Sequence, residues 1–328
     1  MGAGEGEGGR TLTVLLALAA NVGVGLLKLA AGLITGSSAL LSEAAHSAGD
    51  CTTELLLLLA LRRSRRPADR EHPFGYGKER YFWSFLAALA IFVSGAAFSV
   101  YEGIHTIFGA GHSVDRLWLN YPVLGLAFVF EGISFRQAAR QVRSQTRRRS
   151  QSLADFVGDP EDPTVNSVAL EDSTALVGIA VAAIGVALHQ LTGSAIWDGA
   201  ASLVIGLLLL LVAFLLARAC ATLLIGKQAE PRLLRALEER LEKFEEIVDV
   251  VDLLTMMTGV RRVLVCVRAD FVDSLSGGEL ERACARIDHD LRAEFAELDE
   301  IFVQPISRDD EPMRQRVRTR YGRALADE

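Results

Sequence analysis

Six apolar stretches, each about 20 residues or longer, govern what this chain can fold into, because a bilayer core about 30 Å thick is crossed by about 20 helical residues. They run at about 11–35, 38–61, 81–108, 120–140, 166–190 and 196–225. The second and fifth carry enough polar residues to look poor by hydropathy alone. That is the composition of helices that face a bundle interior rather than lipid. Composition points the same way. The 328 residues are half hydrophobic yet 23% charged, too apolar for an ordinary soluble domain and too charged for an all-membrane one. A membrane part joined to a soluble part is predicted.

The loops orient the spans. Arg62, Arg63, Arg65, Arg66 and Arg70 fill the loop after the second span, and Arg143, Arg147, Arg148 and Arg149 the loop after the fourth. The other three loops carry almost no positive charge. Lys and Arg stay cytoplasmic, which puts both termini in the cytoplasm. Residues 1–10 are Gly/Glu-rich and predicted to be disordered. The apolar run that follows is too long for a signal-peptide core and is read as a retained span, so the membrane domain covers 11–225.

From Lys227 the pattern changes. Pro231 to Phe244 reads as an amphipathic helix with Leu233, Leu234, Leu237 and Leu241 on one face. Ile247 to Leu254 and the alternating Arg262 to Phe271 read as strands, Ser276 to Glu297 as a second helix and Glu300 to Pro305 as a last strand. The expectation is a small cytoplasmic α+β domain over 226–306, followed by a loose charged tail over 307–328. The net charge of −7 is strongly segregated, with acidic residues dominating after about residue 228. Nothing points to nucleic acid. Cys51, Cys220, Cys266 and Cys284 form no CxxC pair and read as small buried thiols.

Chemistry concentrates in the second span. His46 and Asp50 are spaced i, i+4, which sets both on one helix face, and Glu43 lies three residues before His46. A charged residue at membrane depth costs about 2.5–3.5 kcal/mol on insertion scales, so a helix that keeps this pair uses it on a cation or to tie the bundle together. The fifth span opens with Asn166, Glu171 and Asp172. These carboxylates either favour the helix dipole or complete a tetrahedral site, which needs about four ligands. One imidazole with several carboxylates suits Zn2+ better than Mg2+ or Ca2+, and protons compete with metal for the same ligands. Asp69 and His72 form a second candidate cluster in a cytoplasmic Pro/Gly turn. Glu131 and Asp198 either line a pathway or pair with Lys28 or Asn21, while His189 and Asp198 read as solvated at the interface. Gly75-Tyr76-Gly77-Lys78 lacks the spacing of a phosphate-binding loop. No nucleophile–base pair appears, so the chain is read as a non-enzyme.

The run Asn21 to Lys28, then Gly36 to Asp50, then Asp69-x-x-His72-Pro-Phe-Gly, together with Leu224-Ile-Gly-Lys227, resembles the cation diffusion facilitators over about residues 11–306. The resemblance implies homodimers with six spans per protomer and a cytoplasmic domain of ferredoxin-like, metallochaperone-like fold. It also implies export of Zn2+ or related ions against protons by alternating access, through two ligands from span two and two from span five. Three departures stand out. Val168 occupies the place where the family carries His or Asp four residues before its key Asp, if Asp172 is that Asp. Tyr76 stands where the loop motif usually ends in His. No His-rich cluster is recognisable in the cytoplasmic domain. The Glu171-Asp172 pair is similar to the branch that includes the mitochondrial zinc transporter of animals, and Glu171 ranks ahead of Asn166 as the additional ligand. The resulting expectation is a divalent metal–proton antiporter in a lipid bilayer, with the Ala/Arg/Leu-rich style of a bacterial inner membrane. Its alternative is a metal-binding membrane sensor or scaffold that does not transport.

Overall fold

The computed structural model describes residues 5–109, 117–149, 163–307 and 310–321. They fall into two compact units, Met1–Arg63 with Glu79–Ala221, and Ser64–Lys78 with Thr222–Glu328.

The first unit is all helix. Its elements are α1 (Glu5–Thr35), α2 (Ser38–Arg63), α3 (Glu79–Phe108), α4 (Asn120–Arg149), α5 (Pro163–Thr192) and α6 (Ile196–Ile225). Among the described residues, α3, α6, and the segments Leu117–Arg140 and Leu170–Thr192 are long and apolar enough to cross a membrane. Helix α1 contributes a shorter apolar stretch, Asn21–Thr35. Helix α2 falls short because its inward face is polar, burying Ser42, Glu43, His46, Ser47, Asp50 and Thr53. Large apolar side chains such as Leu26, Leu33, Val93, Tyr101, Leu207 and Phe214 point outward instead. A helix that shows hydrocarbon to its surroundings and keeps polar groups inside is built for lipid.

Packing places α2 at the centre. It lies against α1, α3 and α5, while α1 and α5 each pack on α4. The turn between α1 and α2 depends on Gly36, whose φ of +67° is strained for residues with a Cβ. Within α3, Ile91–Ala97 widen into a π-helical segment that packs on α2, with Gly95 beside His46. Such segments are found frequently at functional sites.

The second unit runs α7 (Pro231–Leu241), β1 (Ile247–Gly259), β2 (Arg262–Phe271), α8 (Gly277–Glu294) and β3 (Leu298–Pro305). The sheet order is β1-β2-β3, with β1 and β2 antiparallel and β2 and β3 parallel. The helix–strand–strand–helix–strand order expected from the sequence is the one observed. Alternation in β2 sets Val263, Val265, Val267, Ala269 and Phe271 into a core with Leu237, Leu241, Ile287 and Leu291 of the two helices. Strand β1 is longer than its apolar pattern predicted, because Thr255 to Gly259 pair with Arg262 to Val265 in a tight hairpin.

Both ends carry more helix than composition predicted. Helix α1 begins at Glu5, and a further helix, α9, spans Glu311–Tyr321. Extending an existing helix costs far less than nucleating one, and α9 is rich in good helix formers such as Met, Gln and Arg.

Candidate functional site

Helix α2 supplies a stripe of chemistry at one-turn intervals. His46 Nδ1 lies 3.4 Å from Asp50 Oδ1, and both residues are buried. His46 Nε2 and Asp50 Oδ1 have no hydrogen-bond partner among the described residues. Buried polar atoms are nearly always partnered, so such orphans call for a ligand or another specific cause. One turn further toward the C-terminal end of α2 stands Glu54, half-buried, whose Oε1 accepts a hydrogen bond from Asn21 Nδ2 at 2.9 Å. Glu54 is not among the residues the sequence motifs single out, although its i+8 position from His46 continues the stripe.

Helix α5 faces this stripe. Glu171 is buried and its Oε1 has no partner among the described residues. Asp172 accepts a hydrogen bond from Ser134 Oγ of α4 at 2.8 Å. Neighbouring residues on a helix diverge by about 100°. The two carboxylates therefore reach the stripe by different routes. Asp172 lies within electrostatic reach of His46 and Asp50, and Glu171 within reach of Asp50 and Glu54. Glu131 of α4, also buried, interacts electrostatically with Lys28, His46, Asp50 and Asp172. Asn166 lies on the first turns of α5, where side chains are outside the described residues. Among the described residues, no three His, Cys, Asp or Glu side chains converge tightly enough to enclose a metal ion.

Several candidates have other partners. Glu43 is fully buried and its Oε2 accepts a hydrogen bond from Lys28 Nζ at 3.0 Å, so it is engaged by α1 rather than standing free beside His46. Lys28 thus pairs with Glu43, and Asn21 with Glu54, instead of either meeting Glu131 or Asp198. Asp198 is a helix cap, not a solvated carboxylate. It is 1% exposed, and its oxygens accept hydrogen bonds from Ser37 Oγ at 2.8 Å, Ser38 Oγ at 3.0 Å and the Ser38 amide at 2.5 Å. The N-terminus of α2 carries partial positive charge and unpaired amides, which a buried carboxylate satisfies. His189 is likewise buried.

The Pro/Gly turn with Asp69 and His72 is also committed elsewhere. Asp69 Oδ1 accepts hydrogen bonds from the amides of Glu71 and His72 at 3.0 and 2.7 Å, and Oδ2 accepts one from Tyr76 Oη at 2.7 Å. These bonds, led by that of the Tyr76 hydroxyl, hold the Asp69 carboxyl below its ordinary value. The His72 ring packs on Tyr76 with centroids 4.3 Å apart. Tyr76 thus does more than fail to supply a ligand. It occupies the carboxylate that the second cluster would need.

The cation efflux transmembrane domain family matches residues 14–225. The mitochondrial proton-coupled zinc antiporter SLC30A9 of Xenopus laevis is 32% identical over 244 residues, which is 74% of this chain and 44% of that protein. The human protein of the same name is 32% identical over 215 residues, 66% of this chain and 38% of its own length. Metal tolerance protein C4 of Arabidopsis thaliana is 32% identical over 214 residues, 65% of this chain and 47% of that protein. The chain therefore spans less than half the length of these curated relatives.

Proposed function

This chain belongs to the cation efflux family, a family of transporters rather than enzymes, and on that premise we propose that it exports a divalent cation, Zn2+ foremost, in exchange for protons by alternating access. Cargo would sit between α2 and α5, held by His46, Asp50, Asp172 and Glu171, with Asn166 as a further donor. The observation that carries this reading is a set of buried, unpartnered polar atoms on two helices packed together: His46 Nε2, Asp50 Oδ1 and Glu171 Oε1. An imidazole among carboxylates suits Zn2+, and the same groups bind protons when the metal leaves. Asp172 joins them by turning from Ser134.

The reading extends to six spans, with α1 and α2 joining the four helices that are long and apolar enough on their own. It puts both termini on the cytoplasmic side of a cell membrane and pairs two copies into a homodimer. The order of elements in the C-terminal unit supports a metallochaperone-like fold there. The relatives' printed names, proton-coupled zinc antiporter among them, support Zn2+ and protons as the exchanged species.

Proteoliposomes test the proposal. A pH gradient should drive Zn2+ flux through the wild-type protein, and His46→Ala should abolish it. Absence of gradient-driven flux, or undiminished flux in His46→Ala, refutes it. The lack of a tight three-ligand cluster among the described residues favours one other reading, a metal-binding sensor or scaffold. Stoichiometric Zn2+ binding with no flux under any gradient would support that instead.

A further inference from the structure

Lys28 of α1 is fully buried, and so is its partner Glu43. Its ammonium donates to Glu43 Oε2 and to Ser47 Oγ, each at 3.0 Å. Lys28 also lies within electrostatic reach of His46, Asp50 and Glu131. A fixed positive charge beside a site that takes cations is costly for binding, so its retention needs a reason. Stability does not supply one, since apolar replacements of buried ion pairs are often neutral or stabilising.

The reason lies in the spacing on α2. Glu43 is three residues before His46 and on the same face, where a free carboxylate would add a further oxygen donor to an ion held by His46 and Asp50. A shell richer in carboxylate moves preference from Zn2+ toward oxygen-seeking ions such as Mn2+. Lys28 instead matches the charge of Glu43 and holds one of its two oxygens. We infer that Lys28 is a specificity-determining positioning residue, which by engaging Glu43 keeps that carboxylate out of the ion's shell and so favours Zn2+ over Mn2+.

This inference rests on the transport reading above, and one experiment separates the two. Zn2+ and Mn2+ uptake would be measured in proteoliposomes of the full chain for the wild type, Lys28→Met, Glu43→Gln and the double variant. Lys28→Met should lower the Zn2+:Mn2+ ratio of kcat/KM by about tenfold, the scale on which a metal site responds to a changed neighbour. Glu43→Gln leaves the ammonium poorly neutralised and should raise KM for both ions with little change in their ratio. The double variant should return toward wild type on both measures. An unchanged ratio in Lys28→Met overturns the inference, as does a double variant that keeps the shift of Lys28→Met. Should Lys28→Met not fold, recovery of KM between Glu43→Gln and the double variant decides the same question, and no recovery overturns it. A wild type that carries neither ion defeats the transport reading alone. Calorimetric Zn2+ and Mn2+ binding to the same four proteins then tests the inference by the same ratio.

Discussion

Replacing Asp198 should loosen the bundle from the far end of α2 without emptying the proposed cation site. The carboxylate accepts hydrogen bonds from Ser37 Oγ, Ser38 Oγ and the Ser38 amide, and Ser37 Oγ in turn accepts one from the Leu40 amide. Loss of a helix cap costs about 0.5–2 kcal/mol, loss of an anion at a helix N-terminus up to about 2 in a buried geometry, and an orphaned buried amide about 1–3. These effects overlap in one carboxylate, and a net cost of about 3 kcal/mol for Asp198→Ala is a fair value from them. Asp198→Asn keeps one acceptor oxygen and loses the charge, so about half that cost is expected. Each 1 kcal/mol lowers the melting temperature by about 2–4 °C in a domain of this size, so Asp198→Ala should melt about 6–12 °C lower in detergent. The readout is the temperature at which the monodisperse size-exclusion peak disappears. Ser38 and His46 are separated by about 12 Å along the helix, so Asp198→Asn should still bind Zn2+. An Asp198→Ala protein that melts with the wild type refutes the capping argument. So does an Asp198→Asn protein that melts below Asp198→Ala.

Asp50→Asn should weaken Zn2+ binding at least 10-fold, measured by calorimetry, because it removes the charge of a carboxylate whose Oδ1 makes no hydrogen bond among the described residues. Gly77→Ala should destabilise the C-terminal unit by about 1–3 kcal/mol, seen as faster proteolysis of the 64–78 segment, because an added Cβ would run into the Thr258 carbonyl and come within 2.9 Å of Gly259 Cα. Ser276→Ala removes the capping box of α8, which should cost about 1 kcal/mol on thermal unfolding at neutral pH. Hydrogen bonds from Ser276 hold Glu279 below its ordinary value of 4.5. Its contribution is therefore present above about pH 4.5 and lost as pH falls through the lower folded value, and the Ser276→Ala deficit should shrink over that acid range.

Much of this arrangement could be read from the chain, and the failures have physical causes. The His46/Asp50 spacing predicted one shared helix face, and alternation in Arg262 to Phe271 predicted a half-buried strand; both are local periodicities. Partner choice is not local. Nothing in sequence spacing says that Asp198 reaches across 160 residues to cap α2, or that Lys28 selects Glu43 rather than Glu131. Asp198 reads as solvated because its neighbours mark the boundary of a span, yet the start of α6 lies against the start of α2. Tyr76 read as a missing ligand because a motif comparison registers absence, whereas its hydroxyl has a positive role on Asp69. Glu54 lies outside the motif, one turn beyond Asp50 at the end of the stripe, where only the i+8 spacing from His46 marks it.

The polar side chains along α2 can be sorted by what satisfies them. Ser38 is held by Asp198, Ser42 by Ser202, Glu43 and Ser47 by Lys28, and Glu54 by Asn21. Each of these contacts ties α2 to α1 or α6, and together they fix the rotation of a helix too polar to be fixed by lipid. What remains with orphaned atoms is His46, Asp50 and Thr53, together with the second oxygen of Glu43. The orphans lie within about three turns of one helix. Glu171, also orphaned, interacts electrostatically with Asp50 from α5. An unmatched buried polar group costs about 1–3 kcal/mol, so each of these orphans calls for a specific cause. His46, Asp50 and Glu171, the ligands proposed above, are among the groups left unpaired, and a positive charge supplied from outside the protein is a partner that fits them, whereas Glu43 already has the Lys28 ammonium on its other oxygen.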